Sequence, residues 1–474
     1  MTPNQAALLD MLASRLSPKS IVTDSDAIAP WLTDWRRRFH GAAPALLAPD
    51  STAEVATIVA AAAAYRVALV PQGGNSSMVG GATPLADGSA LILSLRRMNR
   101  IRALDATACL AVAEAGVILS DFNDAALGIG RRFPLTLGAR GSATIGGLVS
   151  TNAGGTQVLR FGSMRGLVAG IEAVLADGSV HDGLAALKKD NRGYDLTQLL
   201  VGAEGTLGIV TAATLRIVPA VAQRTVAWVG LTSPQAALAL LRRLEARTDT
   251  VESFELMPAD TLAAALSHLS APSPLAGTHP WHVLIEAASG EGRADPASLI
   301  ETVLGEALEA ATIEDATIAA NEAQANAFWR LRDSLSDAER ALGPAVQHDI
   351  SVPIEAMPDF MIDAAAACTA RFPGTHASGF GHLGDGNVHF HVRAPAGIDA
   401  ARWYAEDASM VTRFVHDLVV AAGGSISAEH GIGQMKREEL ARLSSSARMA
   451  ALRAVKSAFD PLGILNPDKL LARA

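Results

Sequence analysis

Three histidines stand around a tight glycine turn in Gly381-His382-Leu383-Gly384-Asp385-Gly386-Asn387-Val388-His389-Phe390-His391. Further on, Ser427-Ala428-Glu429-His430-Gly431 adds a carboxylate and another imidazole. From Val388 to Val392 apolar residues alternate with imidazoles. On a strand, His389 and His391 then project to one face, and Val388, Phe390 and Val392 to the other. The Gly384-Asp385-Gly386 turn can bring His382 back beside them, and Glu429 can complete the set. Two or three neutral imidazoles with one carboxylate suit a divalent metal, Zn²⁺ foremost, with Mn²⁺ or Fe²⁺ compatible. Neighbours in an extended segment face opposite ways, so Glu429 and His430 would project to different sides.

A second group lies upstream. Arg332 and Ser336 are four apart on a helix expected over Glu322–Leu342 and so share a face. The Arg332 guanidinium can grip a carboxylate through two parallel hydrogen bonds. Arg330, two residues away, points elsewhere, toward a surface ion pair.

The elements that must position these groups follow from periodicity. Strands are expected at Val226–Leu231, Val251–Leu256, His282–Ala287, Ala311–Ala319, Gln347–Val352 and Asn387–Arg393. Helices are expected at Pro234–Arg247, Pro258–Leu269, Pro296–Leu308, Glu322–Leu342, Ile354–Phe372 and Asp399–Ala422. That order fits an α+β layer, with helices packed on one face of a sheet. The first half is different, rich in glycine and short strands. Ala90–Leu95 reads as a buried strand, and Ile171–Ala176 and Val180-His181 flank the turn signal Asp177-Gly178. A boundary is expected at Pro219, where the character of the sequence changes.

Three glycine-rich segments mark that first half: Pro71-Gln72-Gly73-Gly74-Asn75-Ser76-Ser77-Met78-Val79-Gly80-Gly81, Gly138-Ala139-Arg140-Gly141-Ser142-Ala143-Thr144-Ile145-Gly146-Gly147, and Asn152-Ala153-Gly154-Gly155. Glycine lets backbone N–H groups turn toward phosphate oxygens, and Asn and Ser add donors without bulk. No Gly-x-Gly-x-x-Gly opens a βαβ unit, and there is no Gly-x-x-x-x-Gly-Lys-Ser/Thr loop. From the residues alone, the reading is a dinucleotide held by loops.

Composition narrows the classes further. The chain has 474 residues, 49% hydrophobic and 18% charged, with a formal net charge of −9, which gives no basis for nucleic-acid binding. Its two cysteines, Cys109 and Cys368, lie far apart and outside any Cys-x-x-Cys, which argues against a zinc ribbon or an iron–sulfur cluster. Residues 1–20 read as a helix with polar residues interleaved, not as a signal peptide. The most apolar run, Thr57 to Val70, is broken by Tyr65 and Arg66 and is too short to span a bilayer. The cytoplasm is the expected location.

Taken in order, Trp35, Pro49-Asp50-Ser51-Thr52-Ala53-Glu54-Val55, Pro71–Pro84, Gly141–Gly155, Gly202-Ala203-Glu204-Gly205-Thr206-Leu207-Gly208-Ile209-Val210-Thr211 and Asn466 resemble the FAD-linked oxidases of the vanillyl-alcohol oxidase superfamily. Within it the likeness is to the D-2-hydroxyacid dehydrogenase branch, and it covers nearly the whole chain. The resemblance implies an α+β protein with a two-subdomain FAD-binding domain of the p-cresol methylhydroxylase type over 1–219. A substrate and metal cap, an antiparallel sheet covered by helices, would span 220–424. A segment returning to the flavin would span 425–474. Contacts to FAD would come from Pro71, Gly73, Gly74, Asn75, Ser76, Gly80 and Gly81, from Gly138, Gly141, Ser142, Thr144, Ile145 and Gly147, and from Asn152, Gly154 and Gly155. Gly205, Gly208, Ile209, Val210 and Asn466 would add to them. Relatives that tether FAD covalently carry histidine in the first loop. Asn75 and Ser76 stand there here, which implies non-covalent FAD.

The same resemblance implies metal ligation by His382, His389 and Glu429, substrate contact by Arg332, Ser336, Gln347 and His391, and proton acceptance by His430. The expected reaction is oxidation of a D-2-hydroxy acid to the 2-oxo acid, with D-lactate-type substrates as one alternative. Electrons would pass to an external acceptor: an electron-transfer flavoprotein, a quinone system or oxygen. A homodimer is compatible with this. Two positions depart from the hydroxyglutarate-type pattern, Gln347 standing in place of lysine and His391 in place of asparagine. A non-redox flavin enzyme of this fold, such as the ether-lipid synthases, lacks the paired metal histidines. A flavin-binding protein without turnover is the remaining alternative.

Overall fold

The computed structural model describes residues 1–293 and 295–473. Its backbone forms two compact units, one of Met1–Gly154, Gly162–Pro219 and Glu429–Ala474, the other of Gly155–Phe161 and Ala220–Ala428.

In the first unit, the N-terminal helix runs over Pro3–Ala13, shorter than expected, under a capping box in which Thr2 and Gln5 bond reciprocally. The apolar run at Thr57–Val70 resolves into two elements. Helix Thr52–Tyr65 begins at a Ser51 cap and ends at Arg66 in the left-handed conformation (φ 53°), and strand Ala68–Gln72 follows. Val55, Ile58, Val59 and Ala62 repeat at helical spacing and pack against Leu8, Leu12, Leu69, Leu91 and Leu93. The sheet beneath has the order Ile21–Val22, Leu46–Leu47, Ala90–Ser94, Ala68–Gln72, its last three strands parallel. A second sheet is antiparallel, in the order Ile101–Asp105, Leu110–Glu114, Ile209–Arg216, Val168–Val174, Val180–Gly183. The expected hairpin joins its last two strands, and the Asp177 carboxylate accepts the Ser179 N–H in the turn.

The second unit is built on seven antiparallel strands in the order Asp315–Ile318, Gln223–Leu231, Trp281–Ser289, Val251–Pro258, His376–His382, Asn387–Arg393, Ala345–Ser351. Strand His376–His382 was not expected, because Gly379 and Gly381 make its sequence read as loop. The glycines are packing requirements: a Cβ on Gly381 would lie 2.1 Å from the Asn387 carbonyl oxygen. The Ala311–Ala319 strand shrinks to Asp315–Ile318, since Ala311 is left-handed (φ 49°) just past the end of helix Pro296–Glu309.

Helices cover both faces of this sheet, not one. Val229, Phe254, Val388, Phe390 and Val392 face the larger core. Trp228, Met257, Leu284 and Phe380 project the other way, against Leu262, Phe328 and Leu331. This second apolar stripe needs its own helical cover. Two expected helices are divided. Glu322–Leu342 becomes Glu322–Asp333 and Leu335–Ala341 around Ser334, and Asp399–Ala422 becomes Ala400–Glu406 and Ala408–Ala421 around Asp407. Ile354–Phe372 opens with a 3-10 turn at Ile354–Ala356 before helix Met357–Arg371.

Candidate active site

The two units carry distinct sets of the candidate residues. In the second, the hairpin forms as its turn predicts, with His382 opposite Asn387, Phe380 opposite His389 and Ser378 opposite His391. His389 and His391 share the face away from the core formed by Val388, Phe390 and Val392. The His382 and His389 rings lie 5.4 Å apart at 80°, and they offer ligand atoms within 4.8 Å of each other. Phe380 separates His389 from His391, its ring 5.3 Å from each.

Glu255 lies behind His382. It was missed in the sequence, where its only signal is a carboxylate between Phe254 and Leu256 in a strand buried along its length. Its Oε1 is 2.7 Å from His382 Nδ1, and its Oε2 accepts from Arg332 Nε at 2.7 Å. Burial alone would raise the Glu255 pKa, but Arg332 and then His382 overcome it and hold the carboxyl at about 2. For His382, burial favours the neutral ring. The Glu255 charge outweighs it, against opposition from Arg332, and lifts the imidazole to about 9. A carboxylate on Nδ1 directs Nε2 outward, the usual arrangement of a metal-ligating histidine. Arg332 Nη2 lies 3.2 Å from both ring nitrogens. Asn387 donates from Nδ2 to Asp349 and to the Ile350 carbonyl, fixing the outer strand beneath His389.

The remaining substrate candidates fall in this unit. Gln347 stands directly opposite His391 across the strand pair. Ser336 lies beyond the Ser334 break, on a different helix from Arg332. The shared-face argument for that pair therefore does not hold. The cause is local: Ser334 turns its hydroxyl onto the Leu331 carbonyl and its N–H onto Arg330 and Leu331.

In the first unit the expected cofactor residues come from several loops. A Cβ on Gly73 would meet Thr144 Oγ1 at 2.2 Å, and one on Gly74 would meet the Ser142 carbonyl oxygen at 1.7 Å, so the first two glycine loops touch directly. Around Gly138 and Gly141 there is open space. Pro71 packs on Gly205, and Ser76, Gly80 and Gly81 continue the first loop. Asn75 (φ 54°) donates to the Thr33 carbonyl. Thr144 precedes helix Ile145–Thr151, which contains Gly147 and ends on left-handed Asn152. The Asn152 side chain accepts from Ser163 and from the Arg165 N–H, next to Gly154 and, across the unit boundary in sequence, Gly155. Gly208 leads into Ile209 and Val210, which are buried in the antiparallel sheet. Asn466 donates to the Gly81 and Glu204 carbonyls.

Four buried oxygens in this region have no protein partner: Gln72 Oε1, Thr83 Oγ1, Thr144 Oγ1 and Asn466 Oδ1. Buried acceptors in such number fit a polar ligand laid along the loops, as a flavin dinucleotide would be. The same unit holds Glu429 and His430, both half-buried. The chain bends at Ala428–His430 instead of running extended. The carboxylate and ring come within 4.8 Å of each other, so the expectation that they face opposite ways is corrected. Among the described residues no helix is long and apolar enough to cross a membrane.

Comparisons with known proteins find two matching families. Residues 43–183 match the FAD binding domain family, and residues 221–470 match the FAD linked oxidases, C-terminal domain family. The chain is 36% identical over 458 residues to the mitochondrial D-2-hydroxyglutarate dehydrogenase of Bos taurus, covering 96% of this chain and 82% of the relative. It is 33% identical to the D-2-hydroxyglutarate dehydrogenase of Stutzerimonas stutzeri, covering 98% and 99%. Among solved structures, p-cresol methylhydroxylase aligns with a TM-score of 0.76 at 13% identity, covering 100% of this chain and 98% of that one. An alkyldihydroxyacetonephosphate synthase aligns with a TM-score of 0.73 at 16% identity, covering 99% and 86%, and both likenesses concern the fold. The chain belongs to the FAD-linked oxidases, and D-2-hydroxyglutarate dehydrogenases are its relatives over nearly the full chain.

Proposed function

We propose that this protein is an FAD- and divalent-metal-dependent dehydrogenase that oxidises a D-2-hydroxy acid to the 2-oxo acid. The observation that carries the reading is the His382–His389 pair with Glu255 fixing His382 from behind. It is joined by relatives named D-2-hydroxyglutarate dehydrogenase over nearly the full chain. FAD, bound non-covalently, would supply the two-electron acceptor chemistry, hydride uptake at flavin N5, for the oxidation at C2. His382, His389 and Glu429 would hold the metal, Zn²⁺ foremost, which supplies positive charge at the substrate's carboxylate and hydroxyl oxygens.

The chain's own residues then act by position. A ring nitrogen of His430 accepts the hydroxyl proton, imidazole being suited to exchange near neutral pH. Arg332 keeps Glu255 charged, and it is assigned the contact to a substrate carboxylate. Gln347, His391 and Ser336 meet the far end of the substrate. Neither Gln347 nor His391 supplies a fixed cation there, which favours a hydroxy acid without a second carboxylate. Electrons leave to an external acceptor, and a homodimer and a cytoplasmic location complete the proposal; the bovine relative is named mitochondrial.

Anaerobic mixing with D- and L-2-hydroxy acids tests this. The flavin absorbance of the metal-replete protein should bleach with a D-acid and not with its L-isomer. His382→Ala should lose metal and bleaching while retaining FAD. Absence of bleaching with every D-acid would overturn the reading, and full turnover by His382→Ala would overturn the metal assignment.

A further inference from the structure

In the first unit, one buried carboxylate ties together three stretches of chain that are remote in sequence. Glu204 is 7% exposed and adopts a left-handed backbone conformation (φ 52°). Its Oε1 accepts the Ile432 N–H at 2.7 Å, and its Oε2 accepts the Gly433 N–H at 2.8 Å. Its own carbonyl accepts from Asn466 Nδ2, which also donates to the Gly81 carbonyl. The same loop is fastened once more to the first glycine loop, since the Gln434 N–H reaches the Val79 carbonyl and Gln434 Nε2 reaches those of Gly80 and Thr83. Gly431 has φ 80°, and a Cβ there would come 2.9 Å from Glu204 Oε1. The turn is therefore shaped around the carboxylate. Burial raises the Glu204 carboxyl above the usual carboxylate range, against the pull of the two N–H donors and the nearby Lys436 and Lys469.

We infer that Glu204 is a positioning residue for His430. It fixes the backbone two and three residues after that imidazole and ties it to the loops that also carry Asn466 and Gly81. A carboxyl group suits this task because each of its two oxygens can accept one of the two N–H groups. The amide of glutamine would set an N–H₂ group against one of the two backbone N–H groups and lose that bond. The inference rests on the role of His430 proposed above. A small displacement of a proton acceptor lowers turnover more than it lowers substrate binding.

The test uses FAD-loaded, metal-replete Glu204→Gln with D-2-hydroxyglutarate and D-lactate as substrates. Bleaching should slow by about 10- to 100-fold, with KM little changed and the pH profile displaced, while the flavin spectrum stays that of bound FAD. Amide exchange should quicken at Ile432 and Gly433 and not in the sheets. Wild-type rates with a wild-type pH profile would overturn the inference, as would unchanged exchange at these two amides. Should Glu204→Gln fail to fold, Gly431→Ala crowds the same oxygen, and wild-type turnover in that variant would likewise overturn it. If neither acid bleaches the wild-type protein, the proposed reaction is in question. Amide exchange then decides the anchoring by itself.

Discussion

In the first unit the glycines Gly73 and Gly74 meet the Thr144 hydroxyl and the Ser142 carbonyl, with no room for a single added carbon. In the second, Glu255 and His382 on paired antiparallel strands meet Arg332 from a helix through long side chains. One surface presents amides and orphaned acceptors and carries few charges. The other concentrates a carboxylate, a guanidinium and imidazoles where water is largely excluded. A dinucleotide needs many weak, fixed donors along its length, which backbone provides without entropic cost from side chains. Proton transfer and metal binding need a few side chains fixed by charged and hydrogen-bonding neighbours, which only a side-chain network provides.

The sharpest way to break the charged half is Glu255→Ala. It strips the shared counter-charge from Arg332 and His382, whose side chains are 12% and 8% exposed. Removing one member of a buried ion pair costs roughly 3–5 kcal/mol. A fall in stability of that size is expected in denaturant titration, with the loss confined to the second unit and FAD still bound. A change below about 1 kcal/mol, the range of an exposed pair, would show that Arg332 and His382 do not depend on Glu255.

The backbone half should fail differently. In Gly74→Ala the new methyl would overlap the Ser142 carbonyl, and neither backbone can yield without opening the loop pair. Overpacking of this kind costs about 1–3 kcal/mol or more. The expected outcome is weakened FAD retention on gel filtration with the second unit's stability unaltered. Tight FAD binding in this variant would show that the close contact of the two loops is not what shapes the cofactor surface.

These two halves were also unequally legible in the sequence. The hairpin at His382–His389 could be read because alternation and a Gly-Asp-Gly turn specify register locally. Strands Gln223–Leu231, Val251–Pro258 and Trp281–Ser289 were found within a few residues for the same reason. Glu255 could not be assigned a role, because its partners lie on a helix and a strand more than seventy residues away. Strand His376–His382 hid behind glycines that exist for cross-strand packing, a cause visible only once Asn387 is opposite. The break at Ser334 depends on a hydroxyl choosing a carbonyl within its own turn, which composition does not announce. Glu204 stood within a quoted motif, yet its role depends on amides that follow it by more than two hundred residues.

The finest comparison concerns charge within the second unit. Gln347 and His391 face each other across neighbouring strands, next to the Asp349–His389 pair. Gln347 is uncharged, so a lysine there would add a cation to this face. Gln347→Lys would place an ammonium at the far end of the proposed substrate site, where a second carboxylate would pair with it. A charge-assisted contact of this kind is worth about 1.5–3 kcal/mol, or roughly 10- to 100-fold in kcat/KM. The variant should gain that factor for D-2-hydroxyglutarate over D-lactate, with the stability of the sheet little altered, since Gln347 is only half-buried. An equal change for both acids would mean that position 347 acts on the carboxylate they share. No change for either would place the far end of the substrate elsewhere on this face and leave His391 as the residue to vary next.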